Sequence, residues 1–237
     1  MFDHVAQYRI LERIGAGHPG ETYRARDSHV GRTVVLRVLP DSLAGDAEWL
    51  ARFRRDVQAA ASVSHPNIAA VYELAEDHGR VWLATEFAPG ETLLAMMGGQ
   101  PINPRRAVDI AVQIADALAE GHAHGIVHGH LTPAAVIVTT KSRAKVLDFG
   151  LAVQAVPRDE IDERDDIVVL GAILFEMLTG TPPSAVNRPL APEIDRVVRK
   201  MLAPDRDAGY QSAAGLAADL RSVASVLEAR RSASERR

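Results

Sequence analysis

The chain has 237 residues, 47% of them hydrophobic, and a formal net charge of −4. That is enough apolar sequence for a sizeable core in one domain or two small lobes, and the mild acidity excludes a nucleic-acid or anionic-membrane footprint. There is no cysteine, no apolar run of membrane-spanning length and no signal-like start, so a cytoplasmic globular protein is expected.

Residues 8–39 alternate as strands do, with a turn at Asp27-Ser28-His29-Val30-Gly31. They predict a three-stranded antiparallel meander whose first turn carries Gly15, Gly17 and Gly20. A strand follows these glycines, whereas a Rossmann-type loop requires a helix there. The third strand carries Val34-Val35-Leu36-Arg37. Trp49, Phe53, Val57 and Ala60 then form the apolar stripe of a helix over 46–62, ended by His65-Pro66-Asn67-Ile68. Two strands are expected at Ala69–Glu73 and Arg80–Phe87, around Asp77-His78-Gly79. A short helix ending at Gly98-Gly99-Gln100-Pro101 and a long helix over 104–123 follow.

The next stretch holds His122, His124, His128 and His130 within nine residues. No carboxylate or cysteine is interleaved, and residues at i and i+2 of a helix do not share a face, which argues against a metal site. Val136-Ile137-Val138 and Lys145-Val146-Leu147 read as a buried hairpin across a polar turn. Val153–Glu163 reads as a polar link. Val168–Leu178, Glu193–Leu202 and Ser212–Leu227 read as helices, Thr181–Pro192 as a Pro-rich connection and 228–237 as a frayed tail.

His128-Gly129-His130-Leu131-Thr132-Pro133-Ala134-Ala135, followed by a strand pair and Asp148-Phe149-Gly150, resembles the catalytic and magnesium loops of protein kinases. Phe53-Arg54-Arg55-Asp56, His65-Pro66-Asn67-Ile68, Asp148-Phe149-Gly150-Leu151-Ala152 and Tyr210-Gln211-Ser212 resemble the bacterial serine/threonine kinases in particular. The resemblance covers roughly 8–225. It implies an α+β, bilobal fold: an antiparallel β-sheet lobe over 1–88, a helical lobe over 89–227 and a tail. It also implies a nucleotide cleft at Gly15, Gly17, Gly20, Val35, Arg37, Glu86, Ala88 and Asp148, with Thr85 as gatekeeper and Glu86-Phe87-Ala88 as hinge.

The resemblance further implies which groups are missing. The catalytic aspartate position holds His130, the catalytic-loop lysine position Thr132, and the second magnesium ligand position Ala135. The strand-three lysine position holds Arg37, and its helix partner is Asp56 in place of glutamate. Val35 replaces the alanine above the adenine. Asp148 alone remains to hold magnesium. No Ala-Pro-Glu closes the link after Asp-Phe-Gly, and Gly209 stands where the arginine that pairs with it belongs. Asp166 matches the aspartate that accepts hydrogen bonds from the catalytic-loop backbone.

The expectation is therefore a pseudokinase that binds a protein partner, with ATP and magnesium binding weak or absent. The alternative is an atypical phosphotransferase or nucleotidyltransferase using Arg37, Asp148 and His130.

Overall fold

The structure is a computed structural model, and it describes residues 3–17, 20–151, 162–184 and 189–234. The meander forms as expected from β2 (Tyr8–Gly17), β3 (Gly20–Asp27) and β4 (Thr33–Val38). A short β1 (His4–Val5), not foreseen, pairs with β2. With β5 (Val71–Asp77) and β6 (Arg80–Glu86) these make a six-stranded antiparallel sheet in the order β1-β2-β3-β4-β6-β5. The strand expected from Ala69 begins two residues later and runs on to Asp77, where His78 and Gly79, both at positive φ, make the tight turn.

Strand periodicity decides what faces the cleft. Val34 and Leu36 are fully buried against Tyr8, Ala25, Trp82 and Ala84 on one face of the sheet. Val35 and Arg37 therefore point to the opposite face. After the single turn α1 (Asp41–Ala44), the helix α2 (Ala47–Ala61) lies against the sheet, its first turn capped by Asp46, which accepts from the Trp49 N–H at 2.9 Å. Its stripe of Phe53, Val57 and Ala60 packs on Val81, Leu83 and Leu151.

The helical part is organised around α4 (Pro104–Ala123) and α5 (Glu163–Thr179). The second of these begins five residues before the expected Val168, because Asp162 and Asp165 form a reciprocal capping box that starts it earlier. The helices α6 (Pro192–Met201) and α7 (Ala213–Ser234) complete the core. The tail expected from 228 is helical to Ser234: Glu228 pairs with Arg105 and Arg230 with Glu193, which hold the last turns on the body. The link after Leu151 and part of the Pro-rich connection lie outside the described residues. Among the described residues, no helix is long and apolar enough to cross a membrane.

Between sheet and helices, β7 (Gly90–Thr92) joins β8 (Val136–Thr139) and β9 (Ala144–Val146) in a small sheet. The hairpin was legible; its third strand was not, because Gly90-Glu91-Thr92 has no apolar alternation. Asn67, in the segment that leads into β5, stitches this sheet to α4. Its side chain donates to the Ala144 carbonyl at 2.8 Å and to Gln113 Oε1 at 3.0 Å, and its carbonyl accepts from the Val146 N–H at 2.8 Å.

Leu151, from the far side of the cleft, is 2% exposed within the α2–sheet cluster. Truncation of a buried leucine leaves a cavity as well as losing transfer energy, so Leu151→Ala should cost about 2–5 kcal/mol of stability. Urea denaturation with fluorescence of Trp49 and Trp82 checks this; a change within experimental error would mean that Leu151 does not join the two halves.

Candidate functional site

A cleft of about 580 Å³ separates the sheet from the small β7-β8-β9 unit. Ile14 and Val35 line it from the sheet, Ile137 and Leu147 from the hairpin side, and Glu86, Phe87 and Ala88 from the connection. Of the residues singled out in the sequence, Gly15, Val35, Arg37, Glu86, Ala88 and Asp148 meet here. Gly17 and Gly20 pair with each other at the tip of the β2–β3 hairpin. At Gly20, with φ of 107°, a Cβ would lie 2.1 Å from the Val38 carbonyl oxygen, so the close approach of β4 and the positive φ require glycine. Val35 lines the cleft without closing it.

Thr22, Thr92 and Lys145 were not foreseen as parts of the site. Thr22 lies two residues beyond Gly20 and pairs with Arg37 across the sheet, a position that alternation from Gly20 could have revealed. Thr92 also lines the cleft, and its hydroxyl caps the short helix α3 (Leu93–Met97) by accepting from the Ala95 N–H. Lys145, a lone cation in the run Ala144-Lys145-Val146, donates to Glu86 Oε2 at 2.7 Å and to the Ile68 carbonyl at 3.2 Å. The charge in an apolar strand was its signal.

Arg37 Nη2 lies 2.6 Å from Asp148 Oδ2, with the two side chains 14% and 26% exposed. The Arg37–Asp56 pair weighed from the sequence gives way to this one, because the long guanidinium stem reaches across the cleft. Asp148 is held in the left-handed region at φ of 54°, and Phe149 after it is buried. The Phe149 ring sits edge-on to His128 at 5.3 Å and fills the space over Gly121, where a Cβ would meet it at 2.1 Å.

The loop 128–135 is held by Asp166, itself 2% exposed. Asp166 accepts from the His128 N–H at 2.8 Å, the Gly129 N–H at 2.9 Å and, through His122 Nε2, a third hydrogen at 2.9 Å. His128 Nε2 donates to the Leu147 carbonyl at 3.1 Å, and His130 Nδ1 to the His128 carbonyl at 3.1 Å. A carbonyl can only accept, so His130 carries a hydrogen on Nδ1, which in a neutral ring leaves the lone pair on Nε2. Thr132 adds no positive charge beside it and Ala135 no donor or acceptor side chain. The four histidines disperse: His122 to Asp166, His124 to the Glu120 carbonyl, and His128 and His130 to backbone. Among the described residues, no group of three or more potential ligands is placed to hold a metal.

Magnesium demands near-octahedral oxygen ligation. Among the described residues, the carboxylate at the position is that of Asp148, which carries a guanidinium at 2.6 Å, and Ala135 supplies no oxygen from its side chain. The donor set does not fit the ion.

Comparison with known proteins agrees with this architecture. The sequence matches the protein kinase domain over residues 8–166. The chain belongs to the protein kinase family. It is 33% identical to the serine/threonine-protein kinase PknB of Mycolicibacterium smegmatis over 264 residues, covering 90% of this chain and 42% of that protein. It is 30% identical to the serine/threonine-protein kinase PrkC of Bacillus subtilis, covering 92% of this chain and 40% of that one. The crystal structure of the Mycobacterium tuberculosis PknI kinase domain superposes with a TM-score of 0.75 at 26% identity, over 92% of this chain and 97% of that one. The chain thus spans about two fifths of the length of the curated relatives it matches. Asp166 accepts hydrogen bonds from the backbone of the His128 loop, the part expected of it.

On the surface below the cleft, Arg206 reaches Asp162 at 2.7 Å and Asp165 at 3.3 Å. Arg206 stands three residues before Gly209, and these two aspartates are its partners. Arg164, with help from Arg206, holds the Asp162 carboxyl down at about 2.

His128 carries the pH dependence of the loop. Burial, then the neighbouring His130, pushes its pKa down to about 4, against the pull of Asp166, the Leu147 carbonyl and Asp148. The unfolded chain takes up this proton near pH 6.5, so the imidazole's contribution is full above that pH and is lost as pH falls towards 4. Its share of the loss by pH 4.5 is about 2–3 kcal/mol. Urea midpoints at pH 7.5 and 4.5 should therefore differ less for His128→Gln than for the wild type; equal differences would count against a buried neutral His128.

Proposed function

We propose that this domain is a pseudokinase: a kinase fold that serves as a regulatory binding module for a protein partner and transfers little or no phosphate. The observation that carries the reading is the catalytic loop itself. Asp166 holds it in place, yet His130, Thr132 and Ala135 stand where the reaction needs a carboxylate, an ammonium and an amide. Losing one electrostatic group of this kind commonly costs ~10²–10³ in rate, and the losses here coincide. The proposal divides the chain into lobes at 1–88 and 89–227 and sets it in the cytoplasm.

The relatives named as serine/threonine-protein kinases favour a second reading, an active kinase. The intact Asp148-Phe149-Gly150 and the free Nε2 of His130 support it. Weighing against it is the Arg37–Asp148 contact, which engages the surviving magnesium ligand.

Incubation with γ-³²P-ATP, magnesium or manganese, and generic protein acceptors separates the two. The expected result is no label on the chain or the acceptors beyond that seen with Asp148→Ala. Transfer by the wild type that Asp148→Ala abolishes would overturn the pseudokinase reading.

A further inference from the structure

Three arginines of the large sheet are matched to carboxylates. Arg13 pairs with Glu21 at 2.9 Å, Arg24 with Glu12 at 3.0 Å and Arg37 with Asp148 at 2.6 Å. Arg9 and Arg26 are not. Among the described residues, Arg26 Nη1 reaches only the Thr33 hydroxyl, at 3.4 Å, and Arg9 pairs with no carboxylate. The two stand directly opposite each other on the neighbouring strands β2 and β3, and both are exposed. Directly opposed residues of an antiparallel pair share a face, with Cβ atoms about 4.5–5.5 Å apart, so the two side chains leave the sheet side by side. The row continues to the exposed His4 on β1 and to Thr33 on β4, and it holds no acidic side chain.

Like charges opposed in this way destabilise a sheet. On an edge strand they guard against unwanted pairing. Here β1 and β4 flank β2 and β3, so edge protection does not account for them. Neither arginine lines the cleft. The row shares a face with Val35 and Arg37 but lies at the other end of the strands, beyond the Glu12–Arg24 pair. At that end the β3–β4 turn adds an apolar neighbour. A Cβ on Gly31 would lie 3.8 Å from Arg26 Nη2, and Val30 beside it is 68% exposed.

Two cations and one apolar side chain define what fits. A nucleic acid or an anionic membrane needs a broad basic surface, and the chain's net charge of −4 opposes both. A short run of carboxylates needs only the local pair, because charges farther off than about 10 Å are screened. Arginine also takes a carboxylate in a directed, two-pronged contact.

We propose that Arg9 and Arg26 are the docking point for an acidic segment of the protein partner, whose Asp or Glu carboxylates pair with the two guanidiniums while an apolar side chain rests on Val30. This rests on the reading of the domain as a binding module, and names the chemistry of its partner.

Fluorescence anisotropy of a dye-labelled oligoglutamate peptide, titrated with the whole chain at low salt, tests it. Binding should weaken by about tenfold in Arg9→Gln and in Arg26→Gln, and should fall at high salt. Arg106→Gln removes an exposed charge from the helical part and should leave the affinity unchanged. Each sheet variant relieves a like-charge opposition, so its urea midpoint should equal or exceed that of the wild type. A lower midpoint would give the arginine a role in folding instead. No peptide binding by the folded wild type overturns the proposal, as does an unchanged affinity in both sheet variants or an equal loss in Arg106→Gln. Tighter binding to phosphatidylserine vesicles than to the peptide, lost in the same variants, would assign the surface to a membrane and overturn it too. Failure of the peptide to bind, without transfer of label from ATP, would sink this inference and leave the regulatory-module reading standing. Transfer of label would sink that reading, whatever the peptide does.

Discussion

Arg37 and Asp148 are 111 residues apart in sequence and meet across the cleft. One rides on a central strand of the large sheet, the other on the turn that leaves the small one. Their contact ties the two sheets together at the end of the cleft where the family handles phosphate and metal. An arginine serves here better than a lysine would. Its planar fork is always charged, and it holds a carboxylate directionally where an ammonium acts as a point. Once the pair has formed, the surviving family ligand is committed within the protein. The altered residues at 130, 132 and 135 then lie around a site already neutralised.

The loop beneath is kept in order by different means. Asp166 is buried, and it is satisfied by the His128 and Gly129 backbone and by His122. A buried carboxylate without partners is costly, so this aspartate and its donors form one unit that does not depend on catalysis. That separation lets the loop keep its place independently of which side chains stand at 130, 132 and 135. Arg206 illustrates the same principle. With no Ala-Pro-Glu in the link after Asp-Phe-Gly to receive it, it is anchored on Asp162 and Asp165, at the capping box that begins α5. A half-deleted ion pair would strand a charge, and here the charge has found other carboxylates.

Much of this was readable in the sequence because the fold relies on short, ordered signals. The glycine turn, Asn67, Asp-Phe-Gly and the stripe Phe53, Val57, Ala60 each identify their own position and local geometry. The strand pattern placed Val35 and Arg37 together, and alternation put them on the cleft face. What stayed hidden depends on reach and on long-range contacts. Nothing in sequence spacing distinguishes Asp56 from Asp148 as the partner of Arg37; the extended side chain decides it. β7 is too short and polar to carry a strand signal, and forms because the hairpin edge is there to receive it. The last turns of α7 look like a charged tail, yet their charges meet Arg105 and Glu193 on neighbouring helices.

The central claim is that Arg37 and Asp148 satisfy one another in the folded protein, and a double-mutant cycle tests it most directly. Stabilities of the wild type, Arg37→Met, Asp148→Asn and the double variant, measured by urea denaturation at neutral pH, isolate their coupling. The account predicts that each single change destabilises and that the double variant recovers part of the loss, with a coupling of at least about 1 kcal/mol. Additive effects would contradict it, and would mean that Arg37 and Asp148 act independently.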